Sequence, residues 1–201
     1  MHVGVVGLGI GTISTYMRPG DRIRFYEINP QVEDLARDHF SYLSDCLGDE
    51  VVVLGDARIS MENEWSDGGS QEFDVLLIDA FSGDSIPIHL LTVEALELYD
   101  NHLKDKGVIA IHVSNLHLNL SDLVHNMADK RGWTATRVEF DPNYEQHMLY
   151  YSDWILLSKD PVFHDALEQD GYGSYWYEAL PKDLIWTDDY SNLFGVIDWE
   201  K

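Results

Sequence analysis

Basic residues are scarce in this 201-residue chain, where 13 Lys and Arg stand against 36 Asp and Glu for a formal charge of −23 at pH 7. That balance excludes nucleic acid as a partner, because phosphate contacts need a basic face. Most of the charge is a solvated surface, but its field also draws cationic ligands such as polyamines and sulfonium compounds. Cysteine is nearly absent: Cys46 alone excludes an internal disulfide and a thiolate cluster, and fits a reducing compartment. No apolar run approaches the ~20 residues of a membrane helix, and no signal peptide precedes the first strand. The expectation is a cytoplasmic protein with no membrane contact of its own. Internal repeats and low-complexity tracts are missing too.

What is present is an ordered globular composition, 45% hydrophobic and 12% aromatic, long enough for one domain with a real core. Strands and helices alternate, which predicts an α/β, mostly parallel seven-stranded sheet with helices on both faces. The strands read as His2–Val6, Arg22–Ile28, Glu50–Leu54, Phe73–Asp79 and Gly107–Ser114. An antiparallel pair, Trp133–Phe140 and Asp153–Ser158, closes the sheet through a turn at Asp141–Tyr144. Helices are expected at Thr12–Met17, Pro30–Tyr42, Thr92–His102, from a Ser121 cap to about Lys130, and at His164–Asp170. Asn63–Glu72, with Asp67-Gly68-Gly69-Ser70, reads as a polar surface loop. Residues 1–160 form the nucleoside-binding unit, and 161–201 a tail packed on the same domain. Its Trp176, Trp186 and Trp199 suit either that core or a homodimer interface.

In a parallel sheet, ligands bind beyond the carboxyl ends of the strands. The first such end carries Gly7, Gly9 and Gly11, whose bare backbone admits a ligand closely. Thr12 stands where a dinucleotide fingerprint would have its third glycine. The second end carries Glu27, placed to accept both hydroxyl hydrogens of a ribose. The third carries Asp56 and Ala57, suited to the exocyclic amine and ring of adenine. The fourth carries Asp79, expected in low dielectric with a raised pKa and so the favoured catalytic acid. Asp84 follows in a loop over the pocket, and the fifth end brings His112-Val113-Ser114-Asn115. His89, His112 and His117 lack the spacing of a zinc site, so no metal is expected and His112 reads as a packed core histidine.

These residues resemble the spermidine synthase family, within the class I S-adenosylmethionine-dependent methyltransferase fold. The likeness runs through Val5–Gly11, Tyr26–Pro30, Gly55–Arg58 and Leu77–Phe81. It is greatest to the spermidine synthase-like domains fused behind a transporter-like membrane bundle, through Asp79–Thr92, His112–Asn115 and Thr187–Asn192. The resemblance implies an aminopropyltransferase that uses decarboxylated S-adenosylmethionine and releases methylthioadenosine. Its acceptor would be a putrescine-like amine. A methyltransferase would instead use S-adenosylmethionine and release S-adenosylhomocysteine. A nucleoside-binding domain without turnover is the third reading. By the same likeness Glu27 holds the ribose, Asp56 and Ala57 the adenine, and Asp79 serves the attacking amine. Where the family repeats an acid three residues after the first, this chain has Ser82, and Asp84 comes next. Asp84, Asn115, Asp188 and Asp189 are therefore the candidate acceptor contacts. The fused relatives also leave open a cytosolic domain of a membrane-anchored protein.

Overall fold

A computed structural model describes residues 1–80, 87–115, 117–140, 151–172 and 180–198. Seven strands form one sheet: β1 His2–Val6, β2 Arg22–Glu27, β3 Asp49–Leu54, β4 Phe73–Ile78, β5 Leu103–His112, β6 Thr134–Phe140 and β7 Ser152–Ser158. Their spatial order is β3-β2-β1-β4-β5-β7-β6. The pairs from β3 through β5 are parallel, whereas β7 runs antiparallel to both β5 and β6, so the sheet is mixed.

The described helices are α1 Pro30–His39, α2 Ala57–Gly68, α3 Val93–Asn101, α4 Leu120–Lys130 and α5 Pro161–Gln169. Alternation along β1 shows how the sheet is covered. Val3 and Val5 face one core with Phe25 and Ala36 of α1. Val6 faces the other, with Met61 of α2, Leu96 of α3 and Leu123 of α4. Both faces are therefore sealed, as a parallel sheet requires. The described part of the tail joins the larger core. Trp186 is buried there, and its carbonyl accepts the Val93 N–H at 3.0 Å. That tryptophan is spent inside the chain and not at an interface. Trp176, Trp199 and the expected turn at Asp141–Tyr144 lie outside the described residues.

Two expectations are corrected. Asn63–Glu72 is not a loop through its length, because α2 runs from Ala57 to Gly68. The Asp56 carboxylate caps it by accepting the Ile59 N–H at 3.1 Å. Glu64 then ties the helix to β2 by accepting from Arg24 and, at 2.7 Å, from the Tyr26 hydroxyl. Ser121 does not cap α4. Asn119 does, accepting the Asp122 N–H at 3.1 Å, and Ser121 sits one residue into the helix. Asparagine is at least as good a cap as serine, and the earlier of the two took the place. The remaining differences are shifts of strand and helix ends: β5 begins earlier, at Leu103, and α1 stops at His39.

Candidate active site

Strand order reverses between β1 and β4, which opens a crevice beyond their carboxyl ends. A cavity of about 420 Å³ lies there. Gly7, Gly9, Glu27, Asp56, Ala57 and Asp79 all line it, so the ends of four strands meet at one hollow.

Glu27 is buried, and both its oxygens are engaged by backbone. Oε2 accepts the Leu8 N–H at 3.0 Å and Oε1 the Asn29 N–H at 2.9 Å. An ionised carboxylate has about four acceptor sites. Two remain, which is the number that a ribose diol needs.

The three glycines do different work. Gly7 has φ +99°, and a Cβ there would stand 2.4 Å from the Asp79 carbonyl oxygen. It lets the turn after β1 touch the end of β4, where the Asp79 N–H donates to the Val6 carbonyl at 2.9 Å. Gly9 lines the cavity with φ +53°, and a Cβ there would meet nothing within 4 Å. Gly11 does not line the cavity. Its Cβ would strike Leu43 at 2.7 Å, and it precedes the short 3-10 turn Thr12–Tyr16.

Asp56 holds two posts. One oxygen caps α2, and the other meets His89 Nε2 at 2.9 Å. Ala57, buried beside it, opens the helix on the cavity wall. His89 also lines the cavity, a role that its sequence position in Ile88-His89-Leu90 did not announce.

Asp79 differs from expectation. Its side chain is 46% exposed, so it does not stand in low dielectric. The carboxylate pairs with His112 Nδ1 at 2.8 Å. His112 in turn is no core residue: its side chain is 23% exposed, Nε2 lies 2.7 Å from Ser114 Oγ, and the ring stacks on Trp154. Both residues stand at the carboxyl ends of neighbouring parallel strands, β4 and β5.

The candidate acceptor contacts are dispersed. Asp84 lies outside the described residues. Asn115 turns inward to its own backbone, where Oδ1 accepts the His117 and Leu118 N–H groups, each at 2.9 Å. It lines a separate small hollow beside Asp153. Asp188 and Asp189 line a second cavity of about 550 Å³, which shares His89 with the first. Although larger, this second cavity lacks the glycines, Glu27 and Asp79 that line the smaller one. Asp188 is held by Arg58 and accepts the Thr92 hydroxyl at 2.8 Å, and the Arg58 hydrogen bonds keep its carboxyl below the usual range. Among the described residues no helix is long and apolar enough to cross a membrane.

No protein-family model matches the chain. It is 32% identical over 108 residues to the polyamine aminopropyltransferase of Vibrio vulnificus, a match covering 52% of this chain and 35% of that protein. It is 31% identical over 109 residues to an N-terminal histidine N-methyltransferase of Emericella nidulans, covering 54% of this chain and 19% of that one. The matches thus span about a third or less of these curated relatives' length. The crystal structure of human Methyltransferase-like protein 13 in complex with SAH superposes with a TM-score of 0.63 at 19% identity, over 89% of this chain and 86% of that one. Fold and sheet order define an α/β chain of the class I methyltransferase type, with its nucleoside-sized hollow at the strand-order switch. Within that fold class, part of the chain is similar in sequence to a polyamine aminopropyltransferase and part to an N-methyltransferase.

Proposed function

We propose that this chain is an enzyme that alkylates an amine, transferring an aminopropyl group from decarboxylated S-adenosylmethionine to a putrescine-like acceptor. The observation that carries the reading is the meeting of Glu27 and Asp79 at one cavity, the first buried and fixed, the second exposed. The residues fit an adenosyl compound. Glu27 keeps two acceptor sites for the sugar, Gly9 presents bare backbone at the cavity, and Asp56 with Ala57 lines it for the base.

When bound, the sulfonium supplies an electrophilic carbon, whose bond to sulfur breaks as the bond to nitrogen forms, the sulfur keeping the electron pair as a thioether. An alkyl amine has a pKa near ~10 and arrives as an ammonium ion. Asp79 attracts that ion, orients it and accepts the proton that frees its lone pair. Fixing the amine against the carbon draws on the ~7–11 kcal/mol that positioning can supply. The high negative charge adds a general attraction for the acceptor.

A methyltransferase is the second reading, favoured by the 31% identity to a histidine N-methyltransferase. Both relatives are named for transfer of an alkyl group, and the same Glu27 and Asp79 would serve either donor. Product analysis separates them. Incubation with decarboxylated S-adenosylmethionine and putrescine should release methylthioadenosine, and S-adenosylmethionine should remain unused. Release of S-adenosylhomocysteine instead would establish the methyltransferase, and binding without either product would leave a nucleoside sensor.

A further inference from the structure

We propose that His112 is a positioning residue for Asp79, fixing its carboxylate at the cavity so that one oxygen is left for the acceptor amine. The inference rests on the amine-alkylating reading above and names a residue which that reading does not require. Parallel pairing sets Ile78 of β4 beside Ile111 of β5. Asp79 and His112 follow at the same level, one step beyond each.

The ring is held at both nitrogens and on one face. Its Nδ1 lies 2.8 Å from Asp79 Oδ1, and its Nε2 2.7 Å from Ser114 Oγ. Ser114 Oγ itself accepts the Asp153 N–H at 2.8 Å. Asp153 is buried and gripped by the Arg137 guanidinium, with Nη2 at 2.7 Å. One face of the ring lies on Trp154 of β7, centroids 4.7 Å apart and planes 16° from parallel.

That framework assigns the tautomer. An ionised carboxylate can only accept, so Nδ1 carries the proton and donates to Asp79. In the neutral ring Nε2 is then bare and accepts the Ser114 hydroxyl. The arrangement matters because Asp79 is exposed at a strand end, where a lone aspartate samples several staggered rotamers. Among the described residues, His112 is the side chain that bonds its carboxylate. A misplacement of about 1 Å costs on the order of 10²-fold in rate.

Two amide variants separate this role from simple packing. In His112→Asn the amide nitrogen takes the place of Nδ1 and still reaches Asp79; in His112→Gln it takes the place of Nε2 and reaches only Ser114. With decarboxylated S-adenosylmethionine and putrescine, the Gln variant should lose about 10²-fold in kcat. The Asn variant should stay within about tenfold of wild type. KM for the nucleoside should not move in either. Equal activity of the two variants, whether high or low, overturns the proposal. Nitrogen NMR of the His112 ring should show the Nδ1–H form in wild type, and the Nε2–H form would overturn it regardless of turnover. If wild type transfers nothing, the functional reading fails by itself. Calorimetry with putrescine then decides on His112: weaker binding in Gln than in Asn supports it, and equal binding sinks it.

Discussion

Two carboxylates flank the glycine turn, Glu27 at the end of β2 and Asp79 at the end of β4, and their surroundings are opposite. Glu27 is buried, with both oxygens tied to backbone N–H groups of its own neighbourhood. Asp79 is exposed and leans on a side chain from the next strand. Backbone donors cannot rotate away, so in the proposed function the first acid is a rigid fitting that holds a ligand it never changes. A side-chain brace leaves the second acid accessible to a partner that must approach, lose a proton and depart. The proposed function thus gives binding and reaction to different kinds of support within one rim.

The comparison breaks most sharply at Asp79. Asp79→Asn should lower transfer about 10²–10⁴-fold while nucleoside affinity by calorimetry stays within about threefold. A loss of binding instead would mean that the two acids are not separable. Glu27→Gln should do the reverse and weaken nucleoside binding about 10–100-fold, the range of a charged hydrogen bond lost. The new amide also faces a backbone N–H with its own donors, so the melting temperature should fall with it.

The glycines sharpen the same division. Gly7→Ala combines a positive φ with a Cβ against the Asp79 carbonyl, and should cost about 2–5 kcal/mol in denaturant unfolding. Gly9→Ala meets open space, so its stability cost should be about 1–2 kcal/mol. Its main effect should be roughly tenfold weaker nucleoside binding, because Gly9 lines the cavity with bare backbone.

Acid should act away from the rim. His102 is buried, accepting the Gln71 N–H and donating to the Met61 carbonyl, and burial pushes its pKa down. Its folded pKa lies below the unfolded one. The stability it contributes is therefore complete above about 6.5 and is lost as pH falls from there through the folded value. Unfolding midpoints at pH 7.5 and 5 should differ in that direction, and His102→Gln should narrow the difference. The smallest effect is expected at Asp188→Asn. That half-exposed partner of Arg58 should cost less than about 1 kcal/mol and leave nucleoside affinity unchanged.

The first four parallel strands were legible because each runs through apolar residues into a glycine or an acid, and the rim followed from their ends. Helix α2 was not. Ile59 and Trp65 point to solvent and only Ala57 and Met61 are buried, so no apolar stripe advertised it, and Gly68-Gly69 suggested a loop. The cap at Asp56 was the available signal, hidden because the same residue suited the adenine. His112 was misjudged because a histidine on an inner strand is ordinarily packed. Its true neighbours, Asp79 and Trp154, belong to separate strands whose register no local pattern encodes. Asp188 shows the same limit: its tie to Arg58 spans 130 positions of chain.

The antiparallel strand β7 slots between β5 and β6, and it brings the indole on which the His112 ring rests. Gly7, Gly9, Glu27, Asp56 and Ala57, which the proposed function gives to the nucleoside, all precede α3, so a growing polypeptide brings them together early, from neighbouring segments. The acid's support arrives only when that late strand threads home, a long-range pairing of the kind that forms slowly.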